Sequence, residues 1–144
     1  MEIKKANLDN LSEIEELSKK NNFEIDRDWK DLILSEDKNM FILLENNKII
    51  GFSGFIRFPW NNTIQISNIF IHPDYRGRGF AIKLIQHDID EAKKTSFRCL
   101  IAEAPSLNPV KKLYEKIGFR KCGYNDRYYS NKGKEICIWM SLEI

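Results

Sequence analysis

The sequence predicts a mixed α/β (α+β) domain in which helices flank one largely antiparallel sheet. The chain has 144 residues, a length that suits one compact core, so we assign residues 1–144 to a single domain. Apolar residues recur at helical spacing in three long segments, and runs of β-branched and aromatic residues lie between them. The predicted order is strand, helix, short helix, three strands, helix, strand, helix and two strands, which is typical of a sheet with helices packed on its faces.

The first helix is predicted over residues 8–20, after a short initial strand. Leu8, Leu11, Ile14 and Leu17 lie three residues apart with charged residues between them, which is the pattern of an amphipathic helix. Polar residues dominate the segment 21–29, where three large apolar side chains are interspersed. This segment is interpreted as a loop or a short helix.

Three consecutive strands are predicted in the middle of the chain. Two apolar runs, 40–45 and 49–57, are joined by Asn46, Asn47 and Lys48, which indicates a β-hairpin. A turn over 59–62 then leads into a third run over 63–71. The three runs together predict an antiparallel meander.

Helical and strand patterns alternate in the C-terminal half. Pro109 and Gly118 bound the last helix, because proline suits the first turn of a helix and glycine suits its C-terminal cap. The predicted elements are a helix over 81–95, a strand over 98–102, a helix over 109–117 and strands over 119–124 and 134–142.

Composition and charge exclude several functional classes. Lys and Arg number 23 against 21 Asp and Glu, a net charge of +2, which does not favour a nucleic-acid partner. No apolar run approaches the roughly 18 to 20 residues of a membrane span, and the N-terminus lacks the apolar core of a secretory signal, so we expect a cytoplasmic protein. The three cysteines are odd in number and only two histidines accompany them, so no metal site is predicted.

An anion site is indicated between a strand end and a helix start, over Arg76-Gly77-Arg78-Gly79-Phe80-Ala81. Two glycines allow the backbone to approach a ligand closely, and the helix N-terminus and two arginines add positive potential. The pattern favours a phosphate or pyrophosphate, with a glycine-containing turn and solvated arginines as the alternative. A dinucleotide fingerprint and a P-loop are excluded, because a third glycine at the required spacing and a Gly-Lys-Ser/Thr sequence are absent.

Two motifs resemble the signatures of the GNAT superfamily of N-acetyltransferases. Residues 69–81 resemble its acetyl-CoA-binding segment, and Leu-Tyr-Glu-Lys-Ile-Gly-Phe at 113–119 resembles its second signature. The resemblance covers essentially the whole chain, because the predicted order of elements is also that of the GNAT fold. It implies acetyl-CoA as co-substrate, no metal, and direct transfer of the acetyl group to a primary amine in a ternary complex.

The resemblance also implies a set of cofactor-binding residues. Main-chain groups of Ile69, Phe70 and Ile71 would pair with the pantetheine arm as an added strand does. A backbone amide near Phe70 or Ile71 would stabilise the oxyanion that forms when an amine attacks. The pyrophosphate would lie in a cradle formed by Arg76, Gly77, Arg78, Gly79, Phe80 and Ala81.

Three further roles are implied around the second motif. Glu103 ends the predicted strand, and in the ribosomal-protein alanine N-acetyltransferase branch, which the chain resembles in pattern, the matching glutamate is the general base. Tyr114 matches the tyrosine that protonates the departing thiolate. Asn108 resembles a CoA-contacting asparagine but precedes Tyr114 by six residues instead of seven. The alternatives are a solvent-facing Glu103, a core-packing Tyr114 and an Asn108 that caps the helix opened by Pro109.

The sequence gives fewer indications of the amine acceptor than of the co-substrate. Tyr128 and Tyr129 resemble the tyrosine-rich hairpin with which protein N-terminal acetyltransferases hold a peptide, although cross-strand packing is an alternative. Trp29 is expected to stand in for a Pro-Trp pair found in the ribosomal-protein enzymes. The acceptor is a protein N-terminus or a small amine such as a polyamine, amino sugar or drug, and an α-amino pKa of about 7.7 to 8 favours the N-terminus. A non-catalytic acyl-CoA-binding regulatory module is the alternative to an enzyme.

Overall fold

One seven-stranded sheet organises the computed structural model, which describes residues 1–144. The elements are β1 (Glu2–Lys5), a 3-10 turn (Leu8–Asn10), α1 (Leu11–Lys20), α2 (Trp29–Leu34), β2 (Lys38–Glu45), β3 (Lys48–Phe58), β4 (Thr63–Ile71), a 3-10 turn (Pro73–Tyr75), α3 (Phe80–Lys93), β5 (Cys99–Pro105), α4 (Val110–Ile117), β6 (Arg120–Asn125) and β7 (Cys137–Glu143). The strand order is β1-β2-β3-β4-β5-β7-β6, and only β4 and β5 pair in parallel. The predicted fold class is confirmed.

The predicted meander corresponds to β2, β3 and β4. Asn46 and Asn47 form the first turn with φ values of 51° and 63°, which are left-handed conformations that asparagine tolerates well and that tight hairpins require. Helix α3 then crosses from β4 to β5, because two neighbouring parallel strands need a long connection. The meander and the crossover together place the C-terminal end of β4 beside the start of α3.

Two apolar clusters cover the faces of the sheet. Helices α3 and α4 pack on one face through side chains such as Ile85 and Tyr114. Helices α1 and α2 pack on the other face against β2, β3 and β4, where Trp29, Phe52 and Phe70 are buried together. On this second face, towards the β5 and β7 end of the sheet, Tyr128 packs against Trp139 of β7.

A β-bulge interrupts β4. Gly54 of β3 pairs with Asn68, whereas Phe55 pairs with Ile66, so that Ser67 has no partner residue in β3. Strands β4 and β5 pair only from Thr63 to Ile66. Beyond this point the two strands separate, and the gap between them opens on the C-terminal half of β4.

Several element boundaries differ from those predicted. The first helix begins as a 3-10 turn, and the predicted short helix starts only at Trp29. Strand β5 continues to Pro105, so Glu103 lies within the strand and pairs with Trp139 rather than ending it. The final strand starts at Cys137 instead of residue 134, because Pro105 is the last residue of β5 with a partner in β7. No helix is long and apolar enough to cross a membrane.

Candidate active site

A cavity of about 750 Å³ occupies the gap between β4 and β5 and extends to the start of α3. Its lining is mainly apolar, with a few polar groups, as is usual for small-molecule sites. The predicted residues that line it are Ile69, Phe70, Ile71, Arg76, Gly77, Gly79, Phe80, Ala81, Glu103, Asn108 and Tyr114. The structure therefore brings together most of the residues singled out from sequence.

Main-chain groups of β4 face the gap. His72 donates its N–H to the carbonyl of Ile50 in β3 at 2.8 Å, and antiparallel pairing then directs the groups of Phe70 towards β3 as well. The N–H and C=O groups of Ile69 and Ile71 point the opposite way, to the side that β5 has left. Of the three residues predicted to bind cofactor through their main chain, Ile69 and Ile71 have that orientation and Phe70 does not.

Residues 76–81 form the turn into α3. Gly77 and Gly79 have φ values of 77° and 81°, a region that favours glycine, and Gly79 is the N-cap of α3. The first N–H groups of this helix have no partner within it. The Arg76 Nε donates to the Ile71 carbonyl at 2.9 Å, which fixes the turn against β4. Arg78 does not line the cavity, because its guanidinium lies over the Tyr75 ring, 5.3 Å from the centroid.

Glu103 is a half-buried carboxyl in the cavity wall. Burial raises its pKa above the usual value, and the nearby Glu24 carboxylate adds to that effect. The Tyr128 hydroxyl and the Arg27 guanidinium lower the pKa in part. The Oε2 atom is buried without a hydrogen-bond partner. An oxygen in this environment is a proton acceptor with a pKa nearer to neutrality than an exposed glutamate, which suits a general base.

Tyr114 is 3% exposed and projects from α4 to the cavity. Burial raises the pKa of its hydroxyl far above the usual value, and the Asp88 and Glu103 carboxylates raise it further. The ring packs against Phe119, 5.1 Å between centroids. The hydroxyl remains protonated at any working pH and can act as a hydrogen-bond donor in the cavity.

Tyr128 and Tyr129 lie beside Glu103, outside the cavity lining. Both are exposed, and their rings make an edge contact at 5.1 Å. Burial of the hydroxyl and the proximity of Glu103 raise the pKa of Tyr128 to about 12. Tyr128 also packs on Trp139, 5.4 Å between centroids, and Trp139 is the residue of β7 paired with Glu103. Trp139 was not predicted from the sequence. Because side chains alternate between the faces of a strand and Met140 packs under α3 and α4, Trp139 lies on the same face as Glu103.

Trp29 was predicted to contact the acceptor, but other residues that precede α2 line the cavity. Trp29 is 3% exposed and packs in the core against Phe52, 5.2 Å between ring centroids, so it does not reach the cavity. Phe23 and Glu24 line the cavity instead. Arg27 binds Glu24 through Nε at 3.0 Å and donates from Nη2 to the Ser67 carbonyl at 2.9 Å, which ties this segment to the bulge of β4.

Asn108 lines the cavity, and its Oδ1 accepts the N–H of Val110 at 2.9 Å at the start of α4. The side-chain oxygen is therefore used by the helix, and the nitrogen is the atom directed away from it. A contact between Asn108 and CoA stays a prediction. No group of three or more His, Cys, Asp or Glu side chains is arranged to hold a metal ion.

Known proteins resemble this chain in sequence and in structure. The profile of the acetyltransferase (GNAT) family matches residues 7–119. The ribosomal protein bS18-alanine N-acetyltransferase of Haemophilus influenzae is 35% identical over 101 residues, which are 69% of this chain and 68% of that protein. The enzyme of the same name from Escherichia coli K12 is 32% identical over 106 residues, 72% of this chain and 70% of that protein.

Two solved structures show the similarity of this fold to known acetyltransferases. The Escherichia coli ribosomal-protein-S18-alanine N-acetyltransferase superposes with a TM-score of 0.80 at 24% identity, covering 99% of this chain and 93% of that one. A Bacillus anthracis protein named as a streptothricin acetyltransferase, in complex with acetyl coenzyme A, superposes with a TM-score of 0.71 at 29% identity, covering 81% of this chain and 68% of that one.

Proposed function

The chain belongs to the GNAT family of acetyltransferases and is an acetyl-CoA-dependent transferase, and on that premise we propose that its acceptor is the α-amino group at a polypeptide N-terminus. The observation that carries this proposal is the position of Glu103. Its half-buried carboxyl faces the cavity and lies beside the exposed Tyr128 and Tyr129. Two relatives above 30% identity are named as N-acetyltransferases of a protein's alanine, which agrees with this acceptor.

The β4 side of the cavity fits the co-substrate. Bound acetyl-CoA supplies an acetyl group activated as a thioester, which an uncharged amine can attack. The N–H and C=O groups of Ile69 and Ile71 face the gap where an extended pantetheine arm would complete the sheet. The N-terminus of α3, with Gly77 and Gly79, offers N–H donors for a pyrophosphate.

The order of these groups along the chain supports Ile69 as the oxyanion donor. With the pyrophosphate at residues 76–81, the reacting end of the arm lies towards the bulge of β4. The N–H of Ile69 is then the donor that stabilises negative charge on the acetyl oxygen. The sequence favours an amide near Phe70 or Ile71, but the N–H of Phe70 points to β3, and the N–H of Ile71 lies nearer to the turn at 76–81 than the N–H of Ile69 does.

Two side chains manage the protons. Glu103 takes the proton from the acceptor ammonium, and its raised pKa brings it closer to an α-amino group of about 7.7 to 8 than an exposed glutamate would be. Tyr114, whose hydroxyl is protonated, donates its proton to the sulfur as the C–S bond breaks, and the second proton lost by the attacking nitrogen restores the tyrosine. The side-chain amine of an acceptor lysine, with a pKa of about 10.4, would be harder for the same base to deprotonate.

The test measures CoA release with three pools of acceptor. The pools are peptides with free N-termini and no lysine, N-blocked peptides that contain lysine, and small amines. We expect activity in the first pool. Activity on small amines alone would contradict the proposed acceptor, and acetyl-CoA binding without release in any pool would favour the regulatory module.

Variants at the two proton-handling residues sharpen this test. Glu103→Gln is expected to lower kcat by roughly a hundredfold to ten-thousandfold, with little change in the Kd of acetyl-CoA. Tyr114→Phe is expected to lower kcat by roughly tenfold or more, because it removes one hydrogen bond from the departing group. Glu115→Gln is the matched control, since Glu115 lies on the outer face of α4 and pairs with Lys111 at 2.7 Å. Wild-type kcat in Glu103→Gln would contradict its assignment as the base.

A further inference from the structure

Asn68 is a buried polar residue in the cavity wall that the mechanism above does not use. It is 5% exposed and lines the cavity. Its Oδ1 accepts the Ser67 hydroxyl at 2.7 Å, whereas its Nδ2 is buried without a hydrogen-bond partner. Buried amide donors are nearly always satisfied, so an unpaired one in a binding cavity indicates a ligand that supplies the acceptor.

The bulge of β4 determines which face Asn68 occupies. Ile66 and Ala102 belong to the cluster under α3 and α4, so Glu103 lies on the opposite face of the sheet. Without the extra residue at Ser67, strict alternation would place Asn68 on the same face as Ile66. The bulge shifts the alternation by one, and Asn68 shares the face of Glu103 across the gap.

The neighbouring strand makes room for this side chain. Asn68 pairs with Gly54 of β3, and a Cβ at Gly54 would lie 2.8 Å from the Asn68 Oδ1. Glycine is therefore required there for the carboxamide to keep its position. The charged donor nearby, Arg27, is already engaged with Glu24 and the Ser67 carbonyl. Asn68 is left as an uncommitted donor on the acceptor side.

We propose that Asn68 determines acceptor specificity by donating its Nδ2–H to the carbonyl oxygen next to the reacting amine. The inference rests on the proposed function and names its substrate class, which is α-amino acyl compounds such as peptides. In such acceptors the carbonyl is attached to the carbon that bears the amine. An amine directed at Glu103 therefore brings this oxygen towards a donor on the same face of the sheet.

The test compares two peptides that differ in one atom. One begins with alanine and a free N-terminus, and the other carries sulfur in place of its first carbonyl oxygen, which weakens that group as a hydrogen-bond acceptor. Wild-type enzyme is expected to favour the oxygen peptide in kcat/KM. Asn68→Ala is expected to lower kcat/KM for the oxygen peptide by roughly ten- to a hundredfold and to abolish the preference.

Controls separate this inference from the proposed function. The Kd of acetyl-CoA, measured by calorimetry, should be unchanged in Asn68→Ala, and Asn68→Ser gives the same comparison where the alanine variant fails to fold. An Asn68 variant that keeps the wild-type preference for oxygen overturns the inference and leaves the proposed function standing. Wild-type enzyme that acetylates spermidine but neither peptide overturns the proposed function, and the inference falls with it.

Discussion

Two walls of the cavity are built by different means. The main-chain wall consists of residues 69–71 and 76–81. It presents main-chain groups of Ile69 and Ile71 and the turn that contains Gly77 and Gly79, both with positive φ. The side-chain wall consists of Phe23, Glu24, Asn68 and Glu103, which come from separate parts of the chain. A main-chain wall tolerates most side-chain replacements, whereas each residue of a side-chain wall changes the chemistry offered to the acceptor. Substitutions that change backbone conformation should therefore have the larger effect on ligand binding at the main-chain wall, and substitutions that change charge should have the larger effect on the reaction at the side-chain wall.

Among changes that leave the proposed reacting groups and Asn68 in place, the largest effect is expected from a change of conformation in the main-chain wall. Gly79→Ala places a Cβ in a left-handed conformation, which is disfavoured by about 1–2 kcal/mol, and no neighbouring atom lies within 4 Å to clash with it. We expect the Kd of acetyl-CoA to rise by about tenfold, because the turn must distort to relieve the strain. Isothermal titration calorimetry measures this change.

Gly118→Ala is the matched control for that variant. Gly118 also has a positive φ, 120°, but lies at the C-terminal end of α4 and does not line the cavity. The control should lower the free energy of unfolding and leave the Kd unchanged. Equal changes of Kd in both variants would show that general destabilisation, not the turn, weakens binding.

Smaller effects of opposite sign on the pH profile are expected from two charges beside Glu103, one in the side-chain wall (Glu24) and one that binds it from outside the wall (Arg27). As the proposed base, Glu103 must be ionised, so kcat/KM should fall as the pH drops through its pKa. Glu24 raises that pKa and Arg27 lowers it. Glu24→Gln should therefore move the acid limb of the profile to lower pH, and Arg27→Gln should move it to higher pH.

The measurement for this pair is kcat/KM against pH at saturating acetyl-CoA. Each variant serves as the control for the other, since both break the same ion pair, which joins two partly exposed side chains at 3.0 Å. If the effect came only from the structural loss of the ion pair, the acid limbs of the two variants would move in the same direction. That result would contradict the electrostatic account of the side-chain wall.

The smallest effect on catalysis is expected from a carboxyl that belongs to neither wall. Asp88 is fully buried on α3, bonded to the Ser53 hydroxyl at 2.9 Å, and burial raises its pKa well above the usual range. Below about pH 4 both folded and unfolded states hold the proton. As the pH rises, the unfolded state releases it first, so the free energy of unfolding falls until the folded pKa is reached.

Asp88→Asn removes this ionisation. The variant should show a weaker decline in the free energy of unfolding between pH 4 and pH 8, measured by urea denaturation. The acid limb of kcat/KM should stay in place, because Asp88 is not among the groups that shift the pKa of Glu103. An unchanged decline would indicate that other groups dominate the pH dependence of stability.

The main-chain wall was predictable because its residues are contiguous. A strand, two glycines and a helix start lie within 69–81, and local preferences determine their conformation. The fold class and the order of the elements followed from periodicity for the same reason. The ends of β5 and β7 were misplaced, because pairing between the two strands determines where they stop.

The side-chain wall was only partly predictable. Trp29 was expected at the acceptor site, yet its large apolar ring contributes more to the core, and Phe23 and Glu24 line the cavity. The proximity of Trp139 to Glu103 depends on the pairing register of β5 and β7, which the sequence does not specify. The position of Asn68 depends on a bulge, and no residue type in the sequence specifies one.

The main-chain groups that face the gap also link ligand occupancy to folding. The chain itself gives no partner on that side to the N–H and C=O of Ile69 or to the N–H of Ile71, and acetyl-CoA would supply partners only in the native state. Ligand at a hundred times its Kd stabilises a protein by about 2.7 kcal/mol. Added acetyl-CoA should therefore raise the free energy of unfolding, and amide hydrogen exchange along β4 should slow as the co-substrate is added.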